Sequence, residues 1–217
     1  MRKDEEELRL MQKAAEVVDR VFEEILSWDI IGMTEKELAL RIELRIRELS
    51  DGISFEPIVA SGENGANPHH EPGDRRIRKG DMVILDYGGA KWKGYCSDIT
   101  RTVAIGKPDE KLVEIYEIVK EAQENAFQAV REGIKAKEID RAARETIARA
   151  GYGEYFTHRT GHGLGLDVHE EPYIGPDGEV ALERGMTFTI EPGIYVPGLA
   201  GVRIEDDVVV VGDKGRD

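Results

Sequence analysis

The sequence predicts an α+β fold in which two helices and a group of strands are followed by two more helices and a second group of strands. Three observations predict it. Apolar residues recur at helical spacing in four segments of the 217-residue chain. Short apolar runs bounded by Gly, Pro and Asn fill the stretches between them. Short motifs of the first strand-rich stretch then return about a hundred residues later. The chain reads as one domain, 1–217, made of two halves, about 1–107 and 108–217.

The first helix is expected over 4–28, where Leu8, Met11, Ala15, Val18, Phe22 and Ile25 follow one another at spacings of 3, 4, 3, 4 and 3. The segment has too few heptads for a coiled coil, so the stripe faces a core. Gly32 breaks the pattern. Thr34 stands three residues before Glu37, a capping-box spacing that starts a second helix over 35–49. Between Ser50 and Pro108 the runs Met82–Leu85 and Ile99–Ile105 read as strands. A third helix over 109–131 carries Leu112, Ile115, Val119, Ala122 and Ala126, and a fourth over 137–150 stops at Gly151. Strand texture resumes from Phe156.

The repeat is visible in particular residues. RKGDMVILDYGG (78–89) aligns with ERGMTFTIEPG (183–193), and each places a carboxylate six residues after a glycine: Gly80 to Asp86, Gly185 to Glu191. Asp98 follows at +12 and Glu205 at +14, and His70-Glu71-Pro72 echoes Glu170-Glu171-Pro172 at an offset of 100. Halves related by a pseudo-twofold axis bring these four carboxylates to the centre. Alternation along 82–86, 187–191 and 202–207 is expected to set them on a polar sheet face while the apolar set packs against helices. Like charges so gathered repel unless something neutralises them, and a cation is the natural partner.

Composition limits the alternatives. With 44 acidic against 30 basic side chains the formal charge is −14, which argues against a phosphate-bearing partner such as nucleic acid. The 40% apolar, 34% charged content is that of a globular chain, long enough to fold without disulfides. No apolar run approaches the ~18 residues of a membrane span, and MRKDEEELRL has no apolar signal centre. The lone Cys96 fits a reducing compartment and reads as a small buried residue. A cytoplasmic location is expected.

All five histidines lie in two Gly-rich stretches, SGENGANPHHEPGD (61–74) and HRTGHGLGLDVHEEP (158–172). Gly161 and Gly163 flank His162, leaving its backbone free for strained dihedrals and close approach to a ligand. GHGLG lacks the spacing and context of a dinucleotide fingerprint, so His162 reads as a metal ligand. Four carboxylates and an imidazole suit two divalent cations, Mn²⁺ or Co²⁺ first and Fe²⁺ or Zn²⁺ next. Such a pair activates water and polarises a carbonyl, which is hydrolase chemistry.

With these motifs in hand, the chain resembles the catalytic pita-bread domain shared by Xaa-Pro dipeptidase (prolidase), aminopeptidase P and methionine aminopeptidase. The resemblance implies two pseudo-twofold halves around a curved antiparallel sheet. It implies Asp86, Asp98, His162, Glu191 and Glu205 as ligands of a dinuclear centre, with Asp98 and Glu205 bridging. It further implies Glu191, or a hydroxide bridging the metals beside it, as general base and nucleophile. His69 and His169 are then the catalytic histidines that contact substrate and move protons, and His158 and Arg203 shape the substrate pocket. DYGG…GYCSDITRT (86–102), GHGLGLDVHEEP (161–172), IEPGIY (190–195) and GVRIEDD (201–207) resemble the proline-directed branch. Short peptides with proline second are the implied substrates, with a homodimer as the implied assembly and no nucleic-acid or membrane partner.

Three departures stand out. Asp86 and Asp98 are 12 apart where the family commonly has 11, so a bulge or longer turn is expected at the hairpin holding Lys91, Trp92 and Lys93. Tyr173 stands where dipeptidases often carry a basic residue. The N-terminal domain of longer relatives is expected to be absent. The alternatives are a methionine aminopeptidase, a silent pita-bread module that binds peptides, and a creatinase-like C–N hydrolase that would not need this carboxylate set.

Overall fold

The computed structural model describes residues 1–88 and 91–217. Helix α1 (Glu5–Ile25) and α2 (Glu35–Leu49) precede strands β1 (Ile58–Ser61), β2 (Met82–Asp86) and β3 (Thr100–Ala104). Helices α3 (Glu110–Ala129) and α4 (Ala136–Arg149) precede β4 (Gly161–Gly163), β5 (Glu170–Ile174), β6 (Thr187–Ile190), β7 (Gly193–Val196), β8 (Ala200–Arg203), β9 (Asp206–Val210) and β10 (Gly215–Arg216). The helix–helix–strand order thus occurs twice, in an α+β fold.

Local chemistry accounts for the helix ends. Both α1 and α2 open on capping boxes, Asp4 with Glu7 and Thr34 with Glu37, each pair satisfying two otherwise orphaned backbone N–H groups. Gly151, at φ 86°, takes the left-handed conformation that terminates α4. α1 stops three residues short of the expected Trp28. Its buried stripe is also rotated, onto Leu10, Met11, Ala14, Val17, Val18, Val21 and Ile25. Leu8, Ala15 and Phe22 are only half buried, and the first two line a shallow cleft against β9.

Strands β1, β2 and β3 form one antiparallel sheet, β10-β9-β6-β4-β5 a second, and β7-β8 a hairpin. Helices α1 and α2 cover the first sheet through Val18, Val21, Leu38, Ile42, Val83 and Leu85. Helices α3 and α4 cover the second through Ile115, Val119, Ile139, Phe188 and Ile190. Each such side chain withdrawn from water contributes about 1.5–3 kcal/mol before entropy is subtracted.

The expected polar sheet face is corrected here. β6 and β8 are buried along their whole length, as is β2 from Met82 to Leu85. Val83 and Leu85 meet the α1–α2 layer, while Ile84 on the other face meets Tyr195 of β7. With both faces covered, alternation no longer marks inside from outside. The carboxylates sit at strand ends instead: Asp86 closes β2, Asp98 precedes β3, Glu191 follows β6, and Glu205 joins β8 to β9.

Within the hairpin before β3, Trp92 and Tyr95 pair through both backbone bonds around a tight turn at Lys93 (φ 51°) and Gly94 (φ 90°). Gly89 and Ala90, just before the hairpin of Lys91, Trp92 and Lys93 at which the bulge or longer turn is expected, lie outside the described residues. Among the described residues, no helix is long and apolar enough to cross a membrane.

Candidate metal centre

The two halves meet where the carboxylates end their strands. Register brings Asp86 opposite Thr100, and Thr100 bridges in turn to Glu205 across the halves. The Thr100 hydroxyl donates to Glu205 Oε2 at 2.5 Å. From the second half, β4 lies against β6, so the His162 N–H donates to Thr189 Oγ1 (3.1 Å) and that hydroxyl donates to Glu191 Oε1 (3.2 Å). His162 Nε2 then lies 3.3 Å from Glu191 Oε1 and 3.8 Å from Asp98 Oδ2. One ligand atom from each of Asp98, His162 and Glu205 falls within 4.8 Å of the others.

Gly161 and Gly163 serve this approach, though not through strained dihedrals, since neither has positive φ. A Cβ on Gly161 would land on the Thr189 carbonyl, and one on Gly163 on the backbone of Glu170 and Glu171. Only glycine lets β4 close on its two neighbours.

All the residues singled out in the sequence line a single cavity of ≈ 520 Å³: Asp86, Asp98, His162, Glu191 and Glu205, together with His69, His158, His169 and Arg203. His69 is exposed at the rim, and the His162 and His169 rings meet edge-on at 4.2 Å.

Charge in this cavity is unbalanced. Burial, reinforced by Glu205 and Asp86, pushes the Asp98 carboxyl well above the usual carboxylate range. Burial does the same to Glu205, with Glu191 and Asp86 adding to it. Glu191 is pushed up to about 8 by burial, against the pull of Arg203. Burial lowers His162 to about 4, so its imidazole is neutral near pH 7, the form that ligates metals. Asp86 Oδ1 and Asp98 Oδ1 are buried without hydrogen-bond partners. Oxygens so orphaned, among acids forced toward neutrality, fit divalent cations as their missing partners.

Arg203, which the resemblance implies, is joined here by contributors that were not read from the sequence. Arg203, 3% exposed, donates to Asp86 Oδ2 (2.5 Å), the Tyr195 hydroxyl (2.9 Å) and Thr100 Oγ1 (3.2 Å). Tyr195 also contacts His158 Nε2 at 2.7 Å, linking the pocket wall to the carboxylates. Asp207 Oδ2 accepts the Asp98 N–H at 3.0 Å and pins that backbone. Glu35, fully buried on α2, accepts from Ser61 N–H and hydroxyl (both 2.7 Å) and from Asn64, and meets His70 Nε2 at 2.7 Å. It thereby holds the loop that presents His69. Asp140 on α4 does the same for the second histidine stretch, accepting from Thr160 N–H (3.2 Å) and hydroxyl (2.8 Å). RIEDD offered Asp207 as a third acid, but no spacing signal marks Glu35, Tyr195 or Asp140.

The fold is shared with solved structures. A dipeptidase from Pyrococcus horikoshii OT3 superimposes with a TM-score of 0.98 at 75% identity, over 100% of this chain and 60% of that one. The Xaa-Pro dipeptidase from Bacillus anthracis gives 0.97 at 45% identity, over 99% and 61%. These neighbours place the chain in the pita-bread class. Residues 9–212 match metallopeptidase family M24, and the chain belongs to that family. Among curated relatives, the probable dipeptidase PepE of Mycobacterium tuberculosis is 47% identical over 214 residues, 98% of this chain and 57% of the relative. The chain therefore spans about three fifths of the length of these relatives.

Proposed function

We propose that the chain is a metal-dependent exopeptidase that hydrolyses the bond between an N-terminal residue and proline. The single observation that carries this reading is the buried convergence of four carboxylates and a neutral imidazole, with orphaned oxygens, on one cavity. Asp86, Asp98, His162, Glu191 and Glu205 would hold two divalent cations, Mn²⁺ or Co²⁺ by the hardness of the donor set. When bound, such a pair supplies an activated water and a polarised substrate carbonyl.

The chain's own residues supply the rest. Glu191, 3.3 Å from His162 Nε2 on the cavity wall, would take the proton of the attacking water as general base. His69 and His169, on the cavity wall, hydrogen-bond the substrate carbonyl and deliver a proton to the departing proline nitrogen. Like any amide nitrogen it leaves only once protonated, and in proline it carries no N–H of its own before that proton arrives. Arg203 holds Asp86 in place, and Tyr195 transmits that order to His158. Dipeptidases and prolidases among the relatives support the proline-directed reading. A cytoplasmic location and a homodimer complete the proposal; the buried free thiol of Cys96 agrees with the former.

Turnover of Ala-Pro, Met-Pro and Met-Ala by protein reconstituted with Mn²⁺ or Co²⁺ tests it. Cleavage of the Xaa-Pro peptides with Met-Ala left intact is expected. Preference for Met-Ala would instead make this a methionine aminopeptidase, and no turnover of any peptide a silent binding module.

A further inference from the structure

Arg101 in GYCSDITRT and Asp206 in GVRIEDD belong to the motifs that carry the resemblance, and neither is a metal ligand or a wall of the cavity. The fold pairs them across the two halves. Arg101 Nη2 donates to Asp206 Oδ1 at 2.6 Å, and Gln123 of α3 donates to Asp206 Oδ2 at 2.7 Å. The same guanidinium spans the junction at the level of the backbone. Its Nη1 donates to the Thr100 carbonyl at 3.0 Å and to the Glu205 carbonyl at 2.5 Å.

Strand alternation explains the division of labour. Successive side chains of β3 leave opposite faces, so Thr100 turns to the Glu205 carboxylate while Arg101 reaches its backbone carbonyl. Two consecutive residues of the first half therefore hold Glu205 at three points. The Thr100 hydroxyl takes the carboxylate, the Thr100 carbonyl accepts the Glu205 N–H at 3.1 Å, and Arg101 takes the carbonyl. The second half returns the contact, since Asp207 Oδ2 accepts the Asp98 N–H. A guanidinium suits this place, because its rigid fork reaches a carbonyl and a carboxylate at once. The Arg101 and Asp206 side chains are 26% and 25% exposed. An ion pair so placed adds little to stability, so its effect belongs to placement.

We infer that the Arg101–Asp206–Gln123 clasp is a positioning device for Glu205: it fixes this carboxylate against Asp98 and so governs uptake of the second of two cations. This rests on the dinuclear reading above, in which Asp98 and Glu205 serve both ions. Groups that hold a ligand in place set metal affinity by about 10–100-fold.

Calorimetric titration of the metal-free chain with Mn²⁺ alone, in wild type, Arg101→Met, Arg101→Lys and Arg101→Met/Asp206→Asn, tests the inference. Wild type is expected to take up two ions. Arg101→Met should weaken the second step by about tenfold or more and the first by less than about threefold, with partial recovery in Arg101→Lys. Adding Asp206→Asn to Arg101→Met should weaken the second step little further, because the two residues act through one another. An unchanged isotherm in Arg101→Met overturns the inference. So does an equal weakening of both steps, which a general loosening of the fold would give. Hydrogen exchange of the Glu205 amide in metal-free protein is a readout independent of the ions. Exchange about tenfold or more faster in Arg101→Met, beyond any change in global unfolding, upholds the clasp. Exchange that is unaltered, or that merely follows global unfolding, refutes it. A wild type that takes up no Mn²⁺ refutes the metal reading instead, and the exchange measurement still decides on Arg101.

Discussion

His69 and His70 adjoin in sequence and do different work. His69 is exposed on the cavity rim, while His70 turns inward to the buried Glu35 carboxylate. Hydrogen bonds from Ser61, His70 and Asn64 overcome the opposing effect of burial and hold that carboxyl below its usual range. Glu35 therefore stays charged and ties the 61–74 loop to α2. Glu35→Ala leaves several buried donors unpaired, at about 1–3 kcal/mol for each one left without water. A loss of at least ~2 kcal/mol in urea unfolding is expected, together with a reduced kcat, because the loop no longer presents His69. Unchanged stability and turnover would show that the loop needs no such anchor. Nothing in the sequence distinguishes Glu35 from an ordinary acid in a helix first turn, where it would merely complement the dipole.

Elements that depend on local chemistry were the ones most legible in the sequence. α2 begins and ends where the Thr34–Glu37 capping box and the periodicity place it, and Gly151 terminates α4 as its freedom at positive φ suggests. α1 was read less well. Its real stripe, around Ala14, Val18 and Val21, adjoins the apparent one, and only packing against the sheet decides between them. Strands were legible as segments but not as surfaces, since Ile84 and Val83 bury opposite faces of β2. Asp86, Asp98, Glu191 and Glu205 announced themselves through repeat spacing, and the histidines through their clustering. Thr100, Tyr195 and Asp207 did not, because their contacts join residues brought together only by strand pairing between the halves or by the return of β7 and β9 to the site.

The whole molecule concentrates negative charge at the junction of its halves, and its stability should register that. Glu191 sits near 8 in the folded, metal-free protein, and Asp98 and Glu205 are likewise raised. The unfolded chain releases these protons near the ordinary carboxylate values, so above them the folded state binds more protons than the unfolded one. Stability then falls as pH rises through the folded values. Between about pH 7 and 8.5 the unfolded histidines have finished titrating, and the acids dominate. The melting temperature of metal-stripped protein is accordingly expected to drop across that interval. Bound cations, which replace the protons, should remove most of the drop, a comparison made by calorimetry with and without Mn²⁺.

The central claim is that acids from both halves and His162 jointly hold a pair of cations, and the most direct test is to count ions. Elemental analysis of dialysed wild type, Asp98→Ala and Glu205→Ala, each first saturated with Mn²⁺, should find two ions per chain in wild type. Each variant should hold at most one and should have lost turnover. Two ions retained with full activity in either variant would contradict the account.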